Sequence, residues 1–476
     1  MVFSSIIFLS YFFPIFILVY SLLPHKYRNY WILLTSVGFY AWGAPKFIFW
    51  VLGVILVDFY IVKSLHKSSN QKIRRQLLGL SVIIKIGLLA YFKYANFFVD
   101  NLNSLLNSFG VENVTWTNVA LPIGISFFIF QAVTYSVDVY RKISPPLKTV
   151  GDYLLYILLF PQLIAGPIVR FNEISEQIYN RQNDDNLENK LIGFYRFIIG
   201  LSKKVLIANV LAAEADAVFA MTEIQLNTYS AWVGILAYTF QIYFDFSGYS
   251  DMAIGLGRMM GFKFPENFNN PYISLNITDF WRRWHMTLGT WMRDYLYIPL
   301  GGNRVHNKFR IYFNLWVVFL ISGLWHGAAW NFILWGAFHG FFLILDKLFL
   351  IKWLKQLGKY PSILITFFFT IIGWVIFRAE STEQINFFLN KMFVIDSHIN
   401  FYWLNNKFWW ILAIAIFFAF STLTKWGQQA ENYIFYTFSY SNKVHLSFFS
   451  LAIILLLLSY GGILSTDFNP FIYFRF

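Results

Sequence analysis

Residues 311–333 read IYFNLWVVFLISGLWHGAAWNFI. The stretch holds no acid, lysine or arginine. As a helix it is long enough to cross a ~30 Å hydrocarbon layer. Comparable apolar runs recur at 3–23, 30–43, 46–62, 76–98, 117–139, 192–220, 229–256, 335–351, 362–378, 408–424 and 446–464. Composition agrees, with 58% hydrophobic residues, 13% charged residues and a mean hydropathy of +0.53. Several water-soluble globules would need more polar surface than this chain of 476 residues supplies. The expected fold class is an all-α polytopic integral membrane protein. No soluble domain interrupts the runs, so residues 1–476 are expected to form a single domain. The first run begins almost at Met1 without a basic leader or a small-residue cleavage site, and reads as an uncleaved first span.

The other counts exclude function classes. Without cysteine there are no disulfides, thiolate metal sites or cysteine nucleophiles. A net charge of +13 in a membrane protein gathers on cytoplasmic loops and beside anionic head groups, so nucleic acid is not an expected partner and membrane lipids are. No metal site and no zincin, GxSxG, Walker or dinucleotide-binding pattern is expected.

Loop charge orients the spans. Segment 63–75, KSLHKSSNQKIRR, carries five basic residues and no acid and is assigned to the cytoplasm, whereas 99–116, with Asp100 and Glu112 and no base, is assigned outside. Segments 140–150 and 258–310 are again basic. The piece 152–169 contains PQLIAGP, whose prolines and glycine break helical backbone. If it crossed fully, 258–310 would emerge on the wrong side for its charge; if it re-enters, every later loop agrees. Both termini are then extracytoplasmic.

Three segments carry candidate chemistry. In 268–304, too polar to span, Trp281, Trp284, Leu288, Trp291 and Tyr295 recur at helical spacing. That predicts one amphipathic helix in the interface, capped by Asn276 or Thr278. Its plainer reading is a structural interfacial helix; its functional reading sets Arg282 and Arg283 beside an anionic cytosolic substrate. His285, on the same helix, is expected to be less constrained than His326. His326 is placed in the interior of 311–333 among Ser322, Gly323, Gly327, Trp325 and Trp330. Ionisable residues inside spans face the bundle interior or a wet path. His326 is therefore either a neutral, proton-accepting catalyst or a histidine that glues helices together, and His339 faces the same choice. In QIYFDFSGYSDMAIG, Asp245 and Asp251 are expected to pair with basic groups, Lys203 and Lys204 being the candidates. Lys85 and Lys93 are expected to snorkel.

Taken together, MVFSSIIFL at the start, FPQLIAGPIVR at 160–170, FDFSGYSDMAIG at 244–255, FNNPY at 268–272, DFWRRWHMTLGTWMRDYLYIPLGGNR at 279–304, SGLWHGAAWNFILWGAFHG at 322–340 and the final NPFIYFRF resemble the membrane-bound O-acyltransferase (MBOAT) superfamily, in its AlgI-type bacterial branch. The resemblance implies a helical bundle with a re-entrant segment, interfacial helices and a transmembrane tunnel. It implies that His326 is catalytic and that His285 is the second, cytoplasm-side position. It further implies acetyl-CoA as donor substrate with no permanently bound cofactor, and a periplasmic or cell-surface glycan as acceptor, such as alginate, peptidoglycan or cellulose. An extracytoplasmic SGNH-type or AlgJ/AlgX-like acetyltransferase is the implied partner, in the bacterial inner membrane. Arg282, Arg283 and Arg304 would hold the coenzyme phosphates. The ending also resembles a tyrosine motif of acyl relay, which would make Tyr473 a carrier; an aromatic interface anchor is the alternative. D-alanyl transfer of the DltB type, and a transporter or flippase of an intact substrate, are the competing functions.

Overall fold

The computed structural model describes residues 1–394, 405–437, 439–465 and 468. No strand occurs among them, and seven helices are long and apolar enough to cross a membrane. The chain divides into two compact units, Met1–Asn186 with Met260–Phe264, and Leu187–Met259 with Pro265–Phe476.

The first unit contains α1 (Phe8–Leu22), α2 (His25–Gly43), α3 (Phe47–Lys67), α4 (Gln71–Ser108), α5 (Ile125–Tyr140) and α6 (Val150–Leu158). Local chemistry sets the helix starts. The Asn70 side chain accepts from the Lys72 amide at the head of α4, and Thr149 with Asp152 forms a reciprocal capping box on α6. At nine residues, α6 is about 14 Å long, under half the hydrocarbon thickness. Single turns at Phe160–Leu163 and Phe171–Ile174 follow, so no crossing helix forms over 152–169. Irregular backbone buried inside the protein needs internal partners. Ser36 Oγ accepts from the Phe160 amide, Thr134 Oγ1 accepts from the Phe171 amide, and the Tyr156 hydroxyl donates to the Val169 carbonyl. The Phe160 ring packs on Phe12, Phe16 and Phe39.

Lys85 does not snorkel. It is fully buried and lies 2.7 Å from Asp58, whose carboxylate also accepts from Ser81 and Tyr153. Lys93 is buried as well and donates to Ser126 at 3.4 Å. A nearby carboxylate and hydroxyls outcompete the route to the interface.

The second unit contains α7, running Leu187–Ser202 through a widened turn at Lys203–Ala208 into Asn209–Phe219, and α8 (Thr228–Met259). After these come α9 (Ile277–Arg283), α10 (Met286–Met292), α11 (Lys308–His326), α12 (Trp330–Leu357), α13 (Lys359–Arg378), α14 (Thr382–Phe393), α15 (Asn406–Phe420), α16 (Lys425–Phe435) and α17 (Asn442–Ser465). Helices α7 and α8 touch backbone to backbone. A Cβ on Gly200 would lie 2.5 Å from the Gly248 carbonyl oxygen, and one on Gly193 2.6 Å from that of Gly255. Each helix spaces its two glycines seven residues apart, which keeps them on one face of an antiparallel pair. The contact sets the expected pairs at 2.7 Å, Lys204 on Asp245 and Lys203 on Asp251.

Two helix breaks near the candidate site differ from the sequence reading. The apolar run 311–333 is not one span: α11 ends at His326 and α12 begins at Trp330. Extended backbone at Gly327 lets the chain turn there, and a side chain at Gly327 would strike the Phe332 ring. The predicted interfacial helix over 281–295 is also broken, because His285 adopts φ +45° between α9 and α10. The aromatic periodicity continues through the break because the residues of both short helices face a packed interior.

Candidate active site

The break at His285 is held by the neighbouring segment 267–269. The Asn269 amide donates to the Arg283 carbonyl, and the Met286 amide donates to the Asn267 carbonyl, both at 2.9 Å. A left-handed conformation at a non-glycine residue is costly and persists where its surroundings fix it. Here the Asn267 side chain does so. Its Oδ1 accepts from the Thr287 hydroxyl at 2.9 Å and the Thr287 amide at 3.4 Å, and its Nδ2 donates to Ser250 on α8. Because the Thr287 amide can only donate, the atom facing it is the amide oxygen. The same Oδ1 lies 3.0 Å from His285 Nδ1, so Nδ1 carries the hydrogen and the lone pair sits on Nε2. Burial, reinforced by the nearby His326 ring, pushes the His285 imidazole well below its ordinary range, so the ring is neutral at pH 7. His285 is buried, as His326 is, and its Nδ1 is fixed by Asn267, so it is not the loosely constrained ring expected from the sequence.

His326 is the last residue of α11 rather than mid-span. Helices α11 and α12 form a close hairpin, in which a Cβ on Gly323 would lie 2.2 Å from the Phe332 carbonyl oxygen and one on Gly336 2.4 Å from that of Phe319. The turn sets the His326 ring 6.5 Å from His285, with Trp325, Trp335 and Phe377 rings at 5.0–5.3 Å. His339 is enclosed by Trp281, Trp335 and Phe338 rings at 5.0–5.2 Å.

A cavity of about 450 Å³ opens beside His285, and His326 does not contribute to its lining. His285, Trp281, Arg282, Arg293, Tyr297 and Ser322 contribute to its lining. Helix α9, which carries Arg282, is capped by the Asn276 side chain and fastened at Thr278 by Asp346 of α12 through two 2.7 Å hydrogen bonds. Of the three arginines singled out from sequence, Arg282 is exposed and lines the cavity. Arg283 is bound to Asp279 and the Asn269 carbonyl, and Arg304 is exposed on the turn after Gly302 and does not contribute to the lining. Arg293, which the sequence sets off the aromatic stripe without assigning it to the coenzyme, also lines the cavity and pairs with Asp294. Tyr473 lies outside the described residues.

Asn267 also belongs to the wall of a second, polar cavity of about 40 Å³, with Arg196, Lys203, Asp251, Glu266 and Glu431. Arg196 joins the expected Lys203–Asp251 pair at 2.9 Å and bonds Glu266 at 2.6 Å. Neither Arg196 nor Glu266 was marked in the sequence, although the glycine spacing in α7 and α8 identifies the face on which Arg196 lies.

A buried imidazole lining a cavity edged by guanidinium groups, with a second imidazole beside it, suits acyl transfer from an anionic donor. The sequence model of the "MBOAT, membrane-bound O-acyltransferase family" matches residues 140–383. The chain is 46% identical to the "Probable alginate O-acetylase AlgI" of Pseudomonas aeruginosa over 80% of its own length and 73% of that protein's. It is 39% identical to the "Peptidoglycan O-acetyltransferase" of Helicobacter pylori over 81% of its own length and 78% of that protein's. Identity to the "Teichoic acid D-alanyltransferase" of Bacillus subtilis is 30%, over 55% of this chain and 70% of that one. The protein is thus a multi-pass membrane O-acyltransferase. It belongs to the membrane-bound O-acyltransferase family, in the AlgI-type branch.

Proposed function

We propose that the enzyme moves an acetyl group from cytosolic acetyl-CoA to the hydroxyl of an extracytoplasmic glycan, working with a separate extracytoplasmic acetyltransferase of the SGNH or AlgJ/AlgX type in a bacterial inner membrane. The observation that carries the reading is that His285, which lines a cavity together with Arg282, has the His326 ring 6.5 Å away. Relatives named for alginate and peptidoglycan O-acetylation favour a glycan acceptor. The basic segments 63–75 and 258–310 favour a cytosolic side for the cavity mouth and extracytoplasmic termini.

In this scheme Arg282, with Arg283 and Arg304 on the same polar segment, holds the coenzyme phosphates through charge-assisted hydrogen bonds. His326 accepts the proton of the attacking hydroxyl as its oxygen bonds to the thioester carbonyl carbon. The carbon–sulfur bond then breaks, the thiolate leaves, and the proton on the imidazole passes to sulfur, so the enzyme returns to its starting state. His285, its Nδ1 fixed on Asn267, offers its Nε2 lone pair to the same centre. The hydroxyl is that of the acceptor or of Tyr473, which would then carry the acetyl group outward. Moving the acetyl alone avoids dragging a polyanionic coenzyme through hydrocarbon.

The test is made in sealed vesicles holding labelled acetyl-CoA inside. Acetyl label must appear on an external acceptor or on the protein, and a Tyr473→Phe variant must lose any mark on the protein. Labelled D-alanyl donor, but not acetyl-CoA, being consumed would reject the acetyl assignment in favour of D-alanyl transfer. Movement of intact coenzyme to the outside would reject transfer in favour of transport.

A further inference from the structure

Away from the histidines, an open apolar groove of about 480 Å³ lies between α12 and α13. Phe342, Leu345, Leu350 and Trp353 form one wall, and Leu364, Ile365, Phe368 and Phe369 the other. Among the described residues nothing fills it. In a bilayer such a groove is occupied by hydrocarbon, because an empty one forfeits dispersion contacts along both walls. A lipid tail alone would be generic; the groove's end makes it specific. Lys352 and Lys355, on the last turns of α12, and Lys359, the first residue of α13, are exposed on either side of Gly358, which joins the two helices. Tyr360, one helical turn from Leu364 and on the same face, is 65% exposed, and Lys359 sits 5.8 Å over its ring. No acidic residue occurs between Lys347 and Arg378 to neutralise these cations. Tryptophan and tyrosine at this level mark the interface between hydrocarbon and head groups. Lysines at that level attract anionic lipid.

We propose that this groove is a binding site for one anionic phospholipid, with an acyl chain along the α12/α13 walls and the phosphate on Lys352, Lys355 and Lys359. The site does not depend on the acyl-transfer reading, because none of its residues lines the histidine cavity. Bound there, the lipid ties the end of α12 to α13, and α12 carries Asp346, the residue that fastens the Arg282 helix.

The test uses the full chain in detergent, with phosphatidylglycerol or phosphatidylcholine added and retention read by native mass spectrometry. Wild type is expected to retain one phosphatidylglycerol with at least tenfold preference over phosphatidylcholine. The triple change K352Q/K355Q/K359Q removes the preference. Leu364→Trp, at a 68%-exposed position where folding is tolerant, fills the groove and lowers retention of both lipids. The pair K425Q/K443Q, which removes exposed charge elsewhere, leaves the preference intact. Equal retention of the two lipids by wild type, an undiminished preference in the triple variant, or an equal loss in K425Q/K443Q overturns the proposal.

Discussion

Two buried polar regions of this molecule are built on opposite plans. In the first unit, the Asp58–Lys85 pair is closed. Its carboxylate takes Lys85, Ser81 and Tyr153, while the ammonium also reaches the Ala132 carbonyl, so the charges are consumed within the helix packing. In the second unit, His285 is gripped at Nδ1 by Asn267 and borders a cavity, while aromatic rings wall its neighbour His326. A polar group that closes on itself makes a fold; one that is gripped from behind and faces a void can meet a substrate.

The contrast can be broken experimentally. The largest effect is expected at the closed pair. Lys85→Met strands a buried carboxylate and should cost about 3–5 kcal/mol, while Asp58→Asn/Lys85→Met recovers most of it. Thermal unfolding of both variants checks this; a double variant as unstable as the single one would mean the pair is not self-contained. Next in size, Gly248→Leu forces α8 off α7, since a Cβ alone would lie 2.7 Å from the Gly200 carbonyl oxygen, and should destabilise by about 1–3 kcal/mol or more.

Smaller effects sharpen the open side of the comparison. Asn267→Leu frees the His285 tautomer and should lower turnover about 10–100-fold with little change in KM. Asn267→Asp keeps the acceptor but adds a charge that favours the imidazolium, so activity is retained while its acid limb moves to higher pH. An unmoved pH profile would assign Asn267 to packing alone. Arg282→Gln should raise the KM for acetyl-CoA about tenfold, whereas Arg283→Gln, already bound to Asp279, should change it less. The mildest signature is acid sensitivity. A histidine held neutral in the folded protein costs stability as pH falls below its unfolded value of about 6.5, at up to about 1.4 kcal/mol per pH unit, and His285→Gln should flatten that slope.

Much of this was legible in the sequence. The membrane-crossing class, the polar segment and Lys203 and Lys204 as partners for Asp245 and Asp251 follow from apolar run lengths and from the cost of isolated charges in hydrocarbon, while which lysine meets which carboxylate came from the structure. The two helix breaks did not follow. Aromatic spacing runs unbroken through Trp284 and His285 because both short helices bury the same kind of side chain, so periodicity carries no mark of the turn. The residue that enforces the turn, Asn267, lies 18 positions upstream and acts through tertiary hydrogen bonds. At His326, apolar residues on both sides hid the helix end, although Gly327 immediately after it was a usable stop signal.

The central claim is that His326 takes a proton from the hydroxyl that attacks the donor thioester. The direct measurement is coenzyme A release from acetyl-CoA by the purified enzyme with its acceptor, for wild type and His326→Ala, with folding checked by thermal unfolding. The account predicts a loss of about 10²–10⁴-fold at unchanged unfolding temperature. Full turnover by a folded His326→Ala enzyme would contradict it.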